Sequence, residues 1–203
     1  MDPLAPAAMP VLWRTKLRSS LAGVDHAERV AHCLEGGLVG IGWRMDDLSP
    51  STTLTEACDR IEHTAEPGWG RAAAQTVRRF GAEAEIGDFV WTRDTHGRYL
   101  LCKIAGQYRY DDSEAARAVD VHQVRDAEWA PRPVNDLEVP GAVIRRFVGT
   151  GSSFSRIHDD PARLLTPYLW DKLHDRDLPQ LDISSVEVLK SHLDPYHIWA
   201  FSV

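Results

Sequence analysis

The sequence predicts an α/β (α+β) domain: a curled mixed β-sheet or small barrel flanked by helices, followed by a helical C-terminal extension. Three observations predict it. The first half of the chain alternates strand-like and helix-like apolar periods. From Ile86 to Ala130 short apolar runs follow one another closely, separated by turn residues. From Pro161 to Arg176 the apolar residues Leu164, Leu165, Tyr168 and Trp170 return to helical spacing. A small barrel is the natural way for such a strand set to remove its edges.

The elements follow in order. Met1 to Pro10 is Ala/Pro-rich and reads as a loose tail; it lacks the positive start and apolar stretch of a signal peptide. In Val11 to Arg18, Val11, Trp13, Thr15 and Leu17 face one way and Arg14, Lys16 and Arg18 the other, the period of a half-buried strand. Asp25 caps a helix, with Glu28 three residues later. Val30, Cys33 and Leu34 carry its apolar face, and Gly36-Gly37 stops it. Leu38 to Trp43 is a second strand, thinned by glycines that allow close approach to its backbone. A polar loop from Arg44 to Thr53 leads to a short helix, Leu54 to His63, and a loop at Gly68-Trp69-Gly70 leads to another, Arg71 to Gly81. Ile86 to Trp91 and Arg98 to Ala105 form a hairpin around Asp94-Thr-His-Gly97. Gln107 to Tyr110 continues its second strand past Gly106 through a bulge. Val119 to Val124 reads as a further strand, and Glu128-Trp-Ala begins one more, ended by Pro131 and Pro133. The segment from Val139 through Arg145 and Arg146 fits a helix or a strand. Residues 150–160 are rich in Ser, Gly and Asp and read as a boundary. The expected organisation is a tail at 1–10, one domain at 11–155 and a C-terminal extension at 156–203.

Composition narrows the function classes. The chain is 43% hydrophobic and 26% charged, ordinary for a folded protein with a real core. No apolar run reaches the length of a membrane-spanning helix, so no membrane partner is expected. Cys33, Cys58 and Cys102 are scattered, odd in number and without a CxxC pair. That argues against a disulfide framework and a structural zinc site, and for a cytoplasmic protein with free thiols. A net charge of −7 argues against a surface that coats nucleic acid through many phosphate contacts. It leaves a local basic groove open.

Catalytic constellations are thin. The nine histidines show no HExxH and no tight spacing with Cys or Asp. There is no GxSxG elbow and no phosphate loop; Gly149 to Ser153 lacks the lysine. Asp182…Glu187-Val-Leu-Lys190 has the wrong spacing for a nuclease strand, which needs the Glu and Lys two apart on one face. No catalytic residue, cofactor or metal ligand is expected, and the chain reads as a non-enzyme.

Aromatic residues near glycines, prolines or charges are the better candidates: Trp13, Trp43, Trp69, Trp91, Tyr108, Tyr110 and Trp129. Such rings stack a flat base or hold a methylated amine, although large aromatics mostly fill cores. Trp43, at a strand-to-loop junction, and Trp129, just before a proline-rich loop, stand out. Among the basic residues, Arg14, Lys16 and Arg18 are the best phosphate candidates, because three cations on one strand face repel unless neutralised. Arg71, Arg78 and Arg79 form a second group, and Arg145, Arg146 and Arg156 a third. Asp46, Asp47, Asp111 and Asp112 can accept from the exocyclic amino group of a base, or shape turns.

The opening strand and helix, Gly40-Ile-Gly-Trp43 and Asp46-Asp47-Leu48-Ser49 resemble the EVE-like branch of the PUA superfamily. So do Ala84-Glu-Ile-Gly-Asp88-Phe-Val, Lys103-Ile-Ala-Gly106-Gln-Tyr-Arg-Tyr110 and Val124 to Trp129. That branch includes EVE domains, YTH domains and the specificity domains of McrB-type restriction systems. The resemblance spans roughly residues 11–150. It implies a reader of modified bases that flips a nucleotide into an aromatic cage. By position it implies Trp43 and Trp129 as cage aromatics, with Trp13, Tyr108 and Trp69 as further candidates. It places Arg14 and Lys16 near the ligand, with Arg18, Arg44, Asp46 and Asp47 as further base-edge or phosphate contacts. The long loop between residues 44 and 70 and the extension beyond residue 160 depart from the family pattern. The expected partner is nucleic acid with a modified base, DNA favoured over RNA, within bacterial antiphage or restriction machinery, and the C-terminal extension is a candidate link to an effector. A YTH-like RNA reader and a protein-interaction or small-ligand module on the same fold remain the alternatives.

Overall fold

The computed structural model describes residues 10–64, 69–149 and 151–177. Its strands are β1 (Leu12–Thr15), β2 (Leu38–Ile41), β3 (Phe89–Arg93), β4 (Tyr99–Ile104), β5 (Arg109–Tyr110), β6 (Gln123–Trp129) and β7 (Phe154–Ile157). The helices are α1 (His26–Glu35), α2 (Leu54–Thr64), α3 (Gly70–Arg78), α4 (Glu114–Val119), α5 (Gly141–Val148) and α6 (Asp160–Leu173). The strands form one mixed sheet in the order β2-β6-β4-β3-β1-β7, with β5 also on β6. Only β1 and β3 pair in parallel; the other pairs are antiparallel. The sheet curls into a half-barrel with helices against it, the fold class the sequence predicts. Among the described residues no helix is long and apolar enough to cross a membrane.

The alternation of β1 decides how the layers build. Trp13 points into a core with Cys58 and Ile61 of α2, Ala74 and Val77 of α3, Val90 and Phe154. Leu12 points into the opposite core, with Phe89, Trp91, Val143 of α5, and Leu169 and Trp170 of α6. A third cluster joins Val30 and Cys33 of α1 to Leu38, Leu100, Val121 and Val124. Asp88 ties the start of β1 to β3: its carboxylate accepts from Val11 N at 2.9 Å, Trp13 Nε1 at 2.8 Å and Glu85 N at 2.9 Å.

Local chemistry explains most boundaries. Asp25 caps α1 through the amides of Ala27 and Glu28, and the chain leaves through Gly37 at φ +56°. A π-helical turn, Arg79–Glu83, follows α3. Arg125 of β6 is buried and caps that turn, donating to the carbonyls of Phe80 and Ala84 while its Nε donates to Gly106 O. A charged side chain inside the sheet is tolerated because its donors meet carbonyls.

Four expectations need correction. Residues 119–124 and 128–130 are not two strands: Gln123–Trp129 is a single strand, and the stretch before it is the helix α4, capped by Ser113 and ended by Asp120 in the left-handed region at φ 54°. The segment around residues 150–160 is no break, because β7 pairs with β1 along Leu12–Thr15. The domain does not end at 155: α6 buries Leu169, Trp170 and Leu173 in the same core as β1 and β3, and Trp91 Nε1 donates to Thr166 Oγ1 at 3.3 Å. The basic stripe of the first strand is not an open face, since β1 lies between β3 and β7 with α5 over the Arg14 side. Gln107 to Tyr110 does continue along the same partner strand as β4. Four residues, Ala105 to Tyr108, bulge out opposite two, Arg125 and Asp126. The expected Val186–Val203 segment, the Asp182–Lys190 stretch, the tail before Pro10 and Gly68 lie outside the described residues.

Candidate functional site

The loop that leaves β2 is held by side chains from β5 and β6. A Cβ at Gly42 would sit 2.8 Å from Asp120 Oδ2 and would push that carboxylate off its bonds to Ser19 and Arg29. The next residue, Trp43, has φ +67°. A bulky residue in the left-handed region costs about 1–3 kcal/mol and persists only where its surroundings impose it. The imposing groups are visible. Gln123, fully buried on β6, donates from Nε2 to the Trp43 carbonyl at 3.0 Å. Its Oε1 accepts from the Tyr108 hydroxyl at 2.6 Å. Two residues on, the Tyr110 hydroxyl accepts from Met45 N and donates to Met45 O, both at 2.9 Å. His122 stacks on Tyr110 at 5.7 Å and anchors itself through Nδ1 to Asp111 O at 2.8 Å.

Trp43, Met45 and Tyr108 are therefore half-buried side chains on a fixed backbone, packed against the same core cluster. Burial pushes the Tyr108 phenol well up, with Cys58 and Tyr110 adding to it. It stays a protonated donor to Gln123. Burial likewise pushes the Tyr110 phenol up, against the backbone hydrogen bond from Met45 that lowers it.

Charged residues follow Trp43 in the same loop. Arg44 meets Asp46 at 2.7 Å, and Asp47 meets Arg60 at 3.1 Å, all four substantially exposed. Exposed pairs of this kind contribute about 0–1 kcal/mol, so either partner can turn to a ligand at small cost.

The remaining sequence candidates sit elsewhere. Trp13 is 1% exposed, stacks on Phe154 at 4.9 Å and spends its indole N–H on Asp88; it is core, with no ring face open to a base. Trp129 is half-buried, but its Nε1 donates to the carbonyls of Cys33 and Leu38 at 3.1 and 3.0 Å, pinning α1 to β2. Trp69 is 74% exposed ahead of α3. Arg14 is 2% exposed, Lys16 donates to Gly149 O at 3.2 Å, and Arg18 is exposed. Gln123 thus links the Trp43 carbonyl to the Tyr108 hydroxyl, with Arg44, Asp46 and Asp47 following on the same loop as Trp43. Trp13 and Trp129 share the core cluster beneath them, but their indole N–H groups are spent on Asp88 and on the carbonyls of Cys33 and Leu38.

Sequence reasoning missed Gln123, Tyr110 and Met45 as the residues that fix the loop. The signal for Gln123 was present: an uncharged amide between His122 and Val124, in an otherwise apolar strand pattern, is a buried hydrogen-bonding group. Among the described residues no three His, Cys, Asp or Glu side chains converge to hold a metal ion.

Comparison with known proteins adds a family but no activity. No curated protein matches the chain. The X-ray structure of protein Atu2648 from Agrobacterium tumefaciens is similar at 11% identity, over 84% of this chain and 99% of that one, with a TM-score of 0.35. A family model described as "Domain of unknown function (DUF8426)" matches residues 13–140, from the first strand to the start of α5, and the chain belongs to that family.

Proposed function

We propose that this chain is a recognition module for nucleic acid carrying a modified base, DNA in preference to RNA, with the base seated against Trp43 and Tyr108. One observation carries the reading. Trp43 is held at φ +67° by a buried glutamine whose other end holds Tyr108. Strain of this kind, maintained by a dedicated hydrogen-bonded clamp, points to a functional placement of the indole.

The energetics suit a flipped base. Extruding a base costs a few kcal/mol, and stacking on an aromatic returns about 1–3 kcal/mol per base. Edge hydrogen bonds supply the selectivity. Asp46 and Asp47 offer acceptors to an exocyclic amino group, and Arg44 offers donors to a ring nitrogen, carbonyl or phosphate. The resemblance to EVE-like readers supports the same assignment and favours a role in modification-dependent defence with an effector partner.

The test is fluorescence anisotropy on one oligonucleotide sequence prepared as DNA and as RNA. Each is made unmodified and with N6-methyladenine, 5-methylcytosine or 5-hydroxymethylcytosine. The proposal expects one modified DNA to bind about tenfold or more tighter than its unmodified parent, the worth of a good edge contact. Equal binding across the panel contradicts it. Selectivity for a modified RNA would transfer the site to an RNA reader.

A further inference from the structure

Among the described residues, a buried cation without a carboxylate partner lies far along the sheet from Trp43, next to its β7 edge. Arg14 is 2% exposed, yet among the described residues it has no carboxylate partner, and its Nε and Nη1 have no hydrogen-bond partner at all. Its contacts are Nη2 to Ser155 Oγ at 3.1 Å and the Phe147 ring at 5.8 Å. The same Ser155 oxygen accepts from Arg146 Nε at 3.3 Å. Two guanidiniums therefore share one neutral hydroxyl. Burial, then the neighbouring Arg146 charge, lower the Arg14 pKa to about 10.

Arg146 opens onto a groove of about 290 Å³ between α5 and β7, lined by Arg145, Arg146, Arg156, His158 and Asp159 together with Ala142 and Ile157. Its one carboxylate is committed. Asp159 caps α6 through Ala162 N at 2.9 Å and lies 3.8 Å from Arg145. Arg146 and Arg156 have no acidic partner among the described residues.

A buried guanidinium without an opposite charge, and with two of its three nitrogens unbonded, costs several kcal/mol. A second one placed against it adds repulsion. An anion in the groove relieves both. Arginine forks match the oxygens of a tetrahedral phosphoryl group, and the bonds are charge-assisted. A dianionic group balances the two unpaired groove arginines, and Arg14, one hydroxyl behind Arg146, adds a third positive charge of low solvent screening. The groove volume fits a phosphoryl group with a small attachment and is below the usual range for a large ligand.

We propose that the α5–β7 groove is an anion site that takes a phosphoryl group, held by Arg146 and Arg156 in front of the uncompensated Arg14. The site stands apart from the Trp43 loop and does not depend on the base-reading proposal. A nucleic-acid backbone diester, a monoanion with two free oxygens, and a free phosphate or nucleotide, up to a dianion, both present phosphoryl oxygens to these arginines, and the test separates them.

The experiment is isothermal titration of the full chain with inorganic phosphate, against chloride at equal ionic strength. Phosphate is expected to saturate one site. Arg146→Gln and Arg156→Gln, both on exposed side chains, are each expected to weaken it about tenfold or more, the loss of one charge-assisted hydrogen bond. Arg14→Met is expected to weaken it too, and Trp43→Ala to leave it unchanged. Phosphate that displaces a labelled unmodified oligonucleotide, with Arg146→Gln weakening both, assigns the groove to a nucleic-acid backbone. Phosphate and nucleotide binding without competition by the oligonucleotide assigns it to a free ligand. Phosphate indistinguishable from chloride, or Arg146→Gln and Arg156→Gln that both bind like the parent, overturns the proposal. Because Trp43→Ala affects only base preference, failure here and failure of the base-reading account are read separately.

Discussion

Replacing Gln123 by Met tests the clamp at the centre of the candidate site. Met is close in length and apolar, so packing is nearly kept while both hydrogen bonds are lost. The Tyr108 hydroxyl, 2.6 Å from Gln123 Oε1 in the wild type, is left without its acceptor. A buried orphaned donor costs about 1–3 kcal/mol. The Trp43 carbonyl, 3.0 Å from Nε2, loses a donor but belongs to a half-buried residue that water can reach. That loss is worth about 0.5–1.5 kcal/mol. The sum is about 1.5–4.5 kcal/mol of unfolding free energy, read from the urea midpoint at unchanged m-value. The decisive arm is the double mutant. Tyr108→Phe removes the orphaned hydroxyl, so Gln123→Met with Tyr108→Phe costs less than the sum of the two single changes by about 1–2 kcal/mol. A single-mutant loss below about 1 kcal/mol, or strict additivity in the cycle, refutes the claim that Gln123 holds both sides of the site.

Further outcomes follow from the same physical reasoning. Asp88→Ala leaves the Trp13 indole and the amides of Val11 and Glu85 without their acceptor and costs about 3–5 kcal/mol in urea unfolding; Asp88→Asn, which keeps an acceptor oxygen, costs less. Gly40→Ala places a Cβ 2.5 Å from Val121 Cγ1 and 3.0 Å from Gln123 O, an overpacking loss of about 1–3 kcal/mol on thermal melting. Burial lowers the His122 pKa below 6.5, against raising contributions from the Asp111 carbonyl and Asp120. The unfolded chain therefore takes up the proton first. Stability is full above pH 6.5 and declines as the pH falls through that value towards the folded pKa, a slope that His122→Gln should flatten in melts across pH 7.5 to 5, windows set by the ordinary histidine value of about 6.5. All three thiols are buried and free, with burial pushing Cys33 up to about 12 and Cys102 well up. Iodoacetamide at neutral pH should leave the native protein unmodified and label all three cysteines after denaturation.

How much of this was legible before the structure depended on where the determining interactions lie. Asp25, Glu28 and the Gly36-Gly37 pair act within their own helix, and α1 follows the sequence reading to within a residue. The hairpin of β3 and β4 is likewise local, with its turn set by Asp94, whose Oδ1 accepts from His96 N and Arg98 N. β7 failed for the opposite reason. Phe154-Ser-Arg-Ile157 sits in a glycine- and serine-rich stretch, and becomes a strand because β1, 140 residues earlier in the chain, supplies its ladder. β6 is one strand although Arg125-Asp126 interrupts its apolar pattern, because Arg125 is buried against carbonyls of the π-helical turn while Asp126 faces solvent. α4 had its signals in Ser113 and the Ala-rich run after it, but it was overridden by the β-branched residues at its end.

The site divides in the same way. Trp43 and Tyr108 were legible as aromatics at loop junctions. Trp13 and Trp129 carried the same local signal, yet Asp88 and the carbonyls of Cys33 and Leu38 claim their indole N–H groups. Those partners are 75 to 96 residues away in sequence, so no local pattern separates a core tryptophan from an open one. Arg14 was legible as a cation needing neutralisation. Its burial beneath α5, beside Arg146, was not.

The most direct test of the central claim is the preference ratio of wild type and Trp43→Ala, measured by anisotropy on the modified oligonucleotide that binds best and its unmodified twin. The account predicts that the wild type prefers the modified strand by about tenfold or more. Trp43→Ala should lower that ratio to near one while melting within a few degrees of the parent, since Trp43 is half-buried and its clamp is made to the backbone carbonyl. A Trp43→Ala protein that keeps the full preference contradicts the placement of the base at this site.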